Sequence, residues 1–222
     1  MKSEPSSSSA RARRARLPRR HRGEPGVIAL NKPYGVLCQF SAHETHPTLA
    51  SLIDLPEYYP AGRLDTDSEG LLLLTNHGPW QARISEPRFG AEKTYWAQVE
   101  GDISSDALQT LARGVPLNDF RTAPARVRRL MDDEVSALWP RTPPIRVRKT
   151  VPDCWIELTI HEGKNRQVRR MTAHVGYPCL RLIRVAAAGV NLFALGLAPG
   201  TWRALRADEL PLLAVRAQRK TG

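Results

Sequence analysis

Four consecutive leucines, residues 71–74, follow directly on a ten-residue segment that is dense in charge, residues 61–70. A short apolar run bounded by a glycine and by polar residues is typical of a buried β-strand. A loop that concentrates arginine, aspartate and glutamate at the mouth of such a strand indicates a functional site. This pair of segments therefore predicts a sheet with a buried strand and a functional site in the loop that precedes this strand.

The remaining apolar stretches predict an α+β domain. Strands are expected at 27–30, 36–40, 71–75, 94–100, 125–130, 155–161, 180–185 and 201–205, and helices at 48–53, 79–85, 106–113 and 165–175. Ser105 is the expected cap of the third helix and Gly114 its stop. Strands outnumber helices and do not alternate regularly with them, which favours a mainly antiparallel sheet over a doubly wound parallel one.

The chain is strongly basic, with a net charge of +11 and a pI near 10.2. Residues 1–24 carry six of the eleven net charges. Because lysine or arginine placed against phosphate releases condensed counterions, this balance indicates a polyanionic partner. Residues 1–25 contain almost no large apolar side chain, so we expect a disordered basic extension that either contacts RNA or only aids solubility. Residues 211–222 are expected to form a basic C-terminal tail.

Cysteine usage and hydropathy predict a cytoplasmic protein. Cys38, Cys154 and Cys179 are too far apart for a CxxC pattern, and their odd number argues against a secreted disulfide framework. The most apolar late stretch, residues 185–199, is shorter than the roughly 20 residues that a membrane span needs. No apolar segment follows the basic start, as it would in a secretory signal. Nothing in the sequence requires more than a monomer.

The acids of residues 61–70 admit a calcium interpretation. Asp65, Asp67 and Glu69, followed by a glycine, imitate the start of an EF-hand loop. That motif needs a bidentate glutamate at its twelfth position, where this chain has Asn76, and flanking helices instead of a strand. The mismatch disfavours calcium.

A magnesium-dependent nuclease is a second metal-based alternative, because it would hold two ions about 4 Å apart with clustered carboxylates. Arg63, two residues from Asp65, suits pairing or orienting a carboxylate better than building a dication site. A third interpretation has acids capping backbone N–H groups in an ordered turn, which we prefer for Asp67, Ser68 and Glu69 but not for Asp65.

Two further segments carry candidate RNA contacts. A helix beginning near Asn165 would align one cationic stripe and turn apolar residues toward the core; the stripe comprises Arg166, Arg169, Arg170 and His174, and the apolar residues are Val168, Met171 and Val175. Such a stripe either binds phosphates, aided by the helix N-terminus, or is an exposed basic face without a partner. Lys93 and Tyr95 share one strand face, so the tyrosine is either a stacking platform for a base or a core aromatic.

These motifs, in this order, resemble the RsuA-type pseudouridine synthases. The matching segments are Asn31-Lys32-Pro33-x-Gly35, residues 61–76, Lys93-x-Tyr95 and residues 162–171. Residues 139–146 and 180–184 are most similar to a large-subunit ribosomal RNA branch of this family that lacks the small S4 RNA-binding domain. The 26 residues before Val27 are likewise too few for that domain, so we expect RNA docking by the tail and the catalytic domain, residues 26–210.

The resemblance implies a pseudouridine synthase domain, a mainly antiparallel mixed sheet in two lobes, that isomerises a uridine in ribosomal RNA without a metal or cofactor. It implies Asp65 as the catalytic carboxylate and Tyr95 as the residue that stacks on the uracil. By motif position Arg169, with Arg63 second, is the arginine that favours the charged form of Asp65. The uridine must leave its stack to reach Asp65. The expected substrate- and RNA-binding residues are Arg63, Lys32, Lys93, Lys164, Asn165, Arg166 and Arg170, of which the three lysines, Arg166 and Arg170 are the candidates for phosphate contacts. A non-catalytic RNA-binding protein with this fold and a tRNA substrate remain alternatives.

Overall fold

The computed structural model describes residues 24–145 and 151–214, which contain a nine-stranded sheet flanked by short helices. The strands are β1 (Val27–Lys32), β2 (Tyr59–Pro60), β3 (Glu69–Thr75), β4 (Lys93–Glu100), β5 (Arg126–Arg129), β6 (Asp153–Ile160), β7 (Cys179–Ala187), β8 (Val190–Asn191) and β9 (Trp202–Ala204). The α-helices are α1 (Gly78–Ser85), α2 (Ser105–Arg113), α3 (Asp132–Val135), α4 (Gln167–His174), α5 (Leu192–Leu195) and α6 (Pro211–Ala214). Single 3₁₀ turns lie at Leu49–Ser51, Pro87–Phe89 and Ala207–Glu209.

The sheet is mixed and mainly antiparallel, as the sequence predicted. Its order is β5-β6-β4-β7-β3-β1-β9, with β2 added to β3 and β8 added to β7. All pairs are antiparallel except β3 with β7, a short parallel joint in which Glu69 faces Ile183 and Gly70 faces Arg184. This joint connects an antiparallel group around β1 and β3 to one around β4 and β7.

The leucine run forms the centre of β3, and every residue of this strand is buried. Leu72 and Leu74 pack into the main core cluster, to which α2 and α4 also contribute, whereas Leu71 and Leu73 pack into a second cluster with Ile84 of α1. Because apolar layers cover both faces of the strand, its sequence is continuously apolar instead of alternating. The charged segment before β3 is consequently held at the end of a rigid, doubly covered strand.

Several predicted boundaries differ from the structure. The strand expected at 36–40 is wrong, since this segment makes only an isolated bridge between Leu37 and Thr48. The helix expected at 48–53 is only the 3₁₀ turn Leu49–Ser51. Helix α2 is capped by Ser104, one residue earlier than predicted, whose side chain accepts a hydrogen bond from the Ala107 N–H.

Parts of both chain ends lie outside the described residues, and the C-terminal end differs from its prediction. Residues 1–23 of the predicted basic extension lie outside the described residues, as do 215–222 of the predicted C-terminal tail. Residues 211–214, which we assigned to that tail, instead form α6, because Leu212 and Leu213 pack against the second core cluster. Within the described ranges, no helix has the length and apolar character needed to cross a bilayer. The three cysteines are free thiols.

Candidate active site

The charged segment forms a loop, residues 61–68, between β2 and β3, which we call the Asp65 loop. The Asp65 side chain is about one-third exposed, at 34%. Its nearest cation is Arg166, whose Nη1 lies 3.7 Å from Asp65 Oδ2. Among the described residues the carboxylate accepts no hydrogen bond, so both of its oxygens remain available to a ligand.

The backbone of the Asp65 loop, in contrast, is fixed by groups from three other segments. Its carbonyl groups accept hydrogen bonds in sequence along the loop: Arg63 O from Arg184 Nη1 at 3.3 Å, Thr66 O from Gly35 N at 2.8 Å, and Asp67 O from Arg169 Nη2 at 2.7 Å. Ser68 N also closes a turn on Asp65 O at 3.0 Å. The carboxylate is therefore free while its backbone is held, which is the arrangement that a reacting group requires.

The other acids of the segment are already committed to cations. Asp67 accepts two hydrogen bonds from Arg166, at 3.0 and 2.8 Å. Burial by itself would raise the pKa of Asp67, but the hydrogen bonds from Arg166 and the charge of Arg169 outweigh it and hold this pKa below its ordinary value. Glu69 is buried and pairs with Arg181 at 2.8 Å. Among the described residues, no group of three or more histidine, cysteine, aspartate or glutamate side chains is placed to hold a metal ion.

The expected pairing of Arg169 with Asp65 is not what the structure contains. Arg169 donates to the Asp67 and Cys179 carbonyls, and its Nε lies 3.4 Å from Asp67 Oδ2. Helix α4 begins at Gln167, two residues later than predicted, because Arg166 adopts a left-handed conformation with φ of 48° as its N-cap. This geometry takes Arg166 off the helical stripe and directs it back to the acids, so the nearest arginine to Asp65 is Arg166 instead of Arg169 or Arg63.

Asp65 opens into a cavity of about 360 Å³ between its loop, β4, β7 and the start of α4. Most of the predicted site residues line this cavity: Arg63, Asp65, Lys93, Tyr95, Lys164, Asn165 and Arg166. Its volume lies in the range of roughly 300–1,000 Å³ found for small-ligand sites. Three segments that are distant in sequence thus meet in one concave site.

Lys93 and Tyr95 lie on the same face of β4, as their spacing predicted, and both line the cavity. Tyr95 is 8% exposed and belongs to the main core cluster, so it is both a core aromatic and part of the cavity surface. Lys93 is buried and its ammonium donates to Ala91 O at 3.1 Å. Burial, with a smaller contribution from the charge of Arg184, lowers the pKa of Lys93 to about 8.

The expected phosphate contact at Lys32 is wrong, because this side chain is fully buried. Its ammonium donates to Pro33 O at 3.0 Å and Val36 O at 2.8 Å, which closes the turn whose Gly35 N–H bonds to the Asp65 loop. Burial lowers the pKa of Lys32 to about 8, although nearby negative groups, Asp65 among them, act in the opposite direction. Lys32 therefore stabilises the turn that contacts the Asp65 loop, and its buried ammonium is not placed to contact RNA.

Arg170 lies outside the cavity, on the neighbouring surface of α4. Its guanidinium pairs with Asp119 and sits 5.4 Å from the centre of the Phe120 ring, and the ammonium of Lys164 lies 5.8 Å from the same ring. Lys164 and Asn165 are exposed at the cavity rim. Contacts of these residues with RNA remain a prediction.

Sequence analysis did not assign to the site three buried polar residues that line the cavity: Arg184, Gln167 and Ser68. Arg184 faces Tyr95 across the β4–β7 pair, and Ser68 Oγ has no hydrogen-bond partner in the described part of the chain. A signal for Arg184 existed, since an arginine in an apolar strand shares a face with Leu182 two residues away. Ser68 lies in the charged segment, but sequence analysis preferred a backbone-capping role for it.

Comparison with known proteins identifies the family of this chain. The family model described as RNA pseudouridylate synthase matches residues 26–174. The chain is 58% identical over 179 residues to "Ribosomal large subunit pseudouridine synthase E" of Xanthomonas campestris pv. campestris, covering 80% of this chain and 94% of the relative. The protein of the same name from Vibrio vulnificus is 49% identical, covering 81% and 75%.

More distant relatives extend the match. "Ribosomal small subunit pseudouridine synthase A" of Escherichia coli K12 is 35% identical over 191 residues, covering 84% of this chain and 73% of the relative. A solved structure described as a pseudouridylate synthase superposes with a TM-score of 0.70 at 31% identity, covering 86% of this chain and 74% of that one. The chain belongs to the RNA pseudouridylate synthase family.

Proposed function

We propose that this chain isomerises a specific uridine of large-subunit ribosomal RNA to pseudouridine, with Asp65 as the catalytic carboxylate and without a metal or cofactor. One observation carries the assignment to Asp65. Among the residues that the structure describes, it is the single acidic residue that lines the cavity, its carboxylate is partly exposed, and the other charged lining residues are all cations: Arg63, Lys93, Lys164, Arg166 and Arg184. A carboxylate surrounded in this way stays near a polyanionic substrate that it would otherwise repel.

In this reaction the N-glycosidic bond of the uridine breaks, the uracil turns while bound, and a C–C bond forms to the same sugar carbon. Asp65 either adds to the sugar or base, or removes a sugar proton to give a glycal. Tyr95, at the cavity wall, stacks on the extruded uracil, a contact worth roughly 1–3 kcal/mol per base. Exposed Lys164, Asn165 and Arg166 at the rim contact the flanking RNA backbone.

The choice of large-subunit RNA rests on the relatives. Those named for the large subunit and synthase E reach 58% identity, whereas the one named for the small subunit reaches 35%. We further propose that the protein works as a monomer in the cytoplasm and that its basic N-terminal extension helps it to bind RNA. Light scattering at micromolar concentration would contradict the first point if it gave the mass of a dimer.

The test is to incubate the protein with unmodified ribosomal RNA, naked and in particles, and to map pseudouridine by carbodiimide labelling and primer extension. We expect one new modified position in large-subunit RNA, formed equally well in excess chelator once the RNA is folded. Strand cleavage that requires magnesium would instead indicate a nuclease. No new position in any substrate would overturn the enzyme assignment.

Asp65→Asn should abolish the modification while the Kd for RNA stays within about tenfold, or roughly 1.4 kcal/mol. Asp106→Asn is the matched control, because Asp106 is an exposed aspartate in the first turn of α2. Full activity in Asp65→Asn would show that another residue carries the chemistry.

A further inference from the structure

Arg184 of β7 connects the two ends of the segment that carries Asp65. Its Nη1 donates to the carbonyl of Arg63, two residues before Asp65, and its Nε donates to the carbonyl of Leu71 at 2.8 Å, on the far side of the loop. The side chain is 97% buried, with a relative exposure of 3%, and it lines the cavity. One planar guanidinium therefore joins the first half of the Asp65 loop to β3, the strand that follows the loop.

Burying a cation without a carboxylate partner costs free energy of folding. Within residues 24–145 and 151–214, no carboxylate lies within 4.0 Å of the Arg184 guanidinium, whereas Arg181 on the same strand pairs with Glu69 at 2.8 Å. Arg184 instead raises the cost of a second buried cation, because its charge contributes to the lowered pKa of Lys93. A buried charge that bonds only to backbone carbonyls is expected where its geometry serves a purpose other than stability.

The backbone beneath the guanidinium makes the bridge possible. Gly70 pairs with Arg184 at the parallel joint of β3 and β7, and a Cβ added at Gly70 would collide with the backbone of Arg184. The close approach of the two strands brings the Arg184 guanidinium within hydrogen-bond distance of the Arg63 carbonyl in the Asp65 loop. Because guanidinium N–H groups form a rigid fork, an arginine can bond to both carbonyls at once, whereas the single ammonium of a lysine has no such planar fork.

We propose that Arg184 is a positioning residue: by bonding both to the Asp65 loop and to the strand that follows it, Arg184 sets where the Asp65 carboxylate meets the substrate. The inference rests on the proposed catalytic role of Asp65. It assigns to Arg184 an effect on the rate of the chemical step and no direct contact with RNA. The side chain acts through the backbone of residues 63–71.

Two variants separate the bridge from the charge. Arg184→Lys keeps a cation but loses the fork, and Arg184→Met removes both. The expected result for both variants is a single-turnover rate lower by about 100-fold, the usual effect of displacing a reacting group by about 1 Å, with the Kd for RNA changed by less than about threefold. Rates are measured well below the unfolding temperature of each variant, so that lost stability does not imitate lost chemistry.

Arg203→Lys is the matched control, because Arg203 is a half-buried arginine on β9 that bonds to Ala204 O and Glu209, away from the cavity. It should retain the wild-type rate. Near wild-type chemistry in Arg184→Lys, together with lost RNA affinity in Arg184→Met, would overturn the proposal and indicate a phosphate contact instead.

Hydrogen–deuterium exchange gives a readout that does not depend on activity. Peptides covering residues 62–71 should exchange at least about tenfold faster in both Arg184 variants than in wild type or Arg203→Lys, because opening of the loop becomes easier. If the wild type made no pseudouridine but the loop still loosened, the proposed function and the effect on its rate would fail, while the structural bridge from Arg184 to the loop would stand. Unchanged exchange in these peptides would overturn the positioning role whatever the activity.

Discussion

Replacing Lys93 with methionine should stabilise the folded chain at neutral pH, because the Lys93 ammonium is buried without a carboxylate partner among the described residues. The pKa of Lys93 falls from 10.5 to about 8 on folding, mainly through burial. That gap corresponds to roughly 3 kcal/mol of unfolding free energy, at about 1.36 kcal/mol for each pH unit. Loss of the hydrogen bond to Ala91 O offsets about 1 kcal/mol of this, leaving a net gain of about 2 kcal/mol.

The direction of the pH dependence follows from the same two values. Above pH 10.5 the amine is neutral in the folded and unfolded chain, so burial costs nothing there. Below about pH 8 it is protonated in both states, and the full cost of burying the cation is present. The advantage of Lys93→Met should therefore shrink by about 2 kcal/mol between roughly pH 6.5 and 9.5.

Urea denaturation followed by tryptophan fluorescence at several pH values measures this difference directly. Subtracting the wild-type curve removes the titration of all other groups that the two proteins share. Lys164→Met is the control for stability, since the Lys164 side chain is exposed and its removal should change little at any pH. A Lys93→Met variant that is less stable than wild type at pH 7, or whose advantage does not change with pH, would refute the argument.

Other consequences concern the supports of the site and the basic tail. Glu69→Gln leaves Arg181 buried without its partner and should cost about 3–5 kcal/mol in chemical denaturation; a loss below about 1 kcal/mol would contradict a buried pair. Gly70→Ala should lower stability far more than Gly35→Ala, although both glycines have positive φ, because an added Cβ collides with β7 only at Gly70. Deleting residues 1–24 should weaken RNA binding and flatten its salt dependence, whereas an unchanged salt slope would limit the extension to a solubility role.

Much of the site could be predicted because its residues lie in short, ordered motifs. The contrast between residues 61–70 and 71–74 located the loop that lines the cavity, and the spacing of Lys93 and Tyr95 placed both on one strand face. Strand periodicity of two is robust to small errors in the boundaries, so these residues were assigned to the correct surface. The helical stripe failed at its first member, Arg166, because a left-handed N-cap cannot be recognised from periodicity.

The sequence by itself determined the residue types of the candidate site and the strands that carry them. These residue types are an aspartate beside arginines, a tyrosine and a basic surface. Only the tertiary structure decided which charges are free to act. The Lys32 ammonium is buried in its own turn, and the Asp67 carboxylate is paired with Arg166. The pairing of β3 with β7 places Arg184 next to the Asp65 loop. The pairing of Asp67 and the position of Arg184 depend on contacts between segments 99 and 121 residues apart, and the order of residues along the chain does not encode such contacts locally.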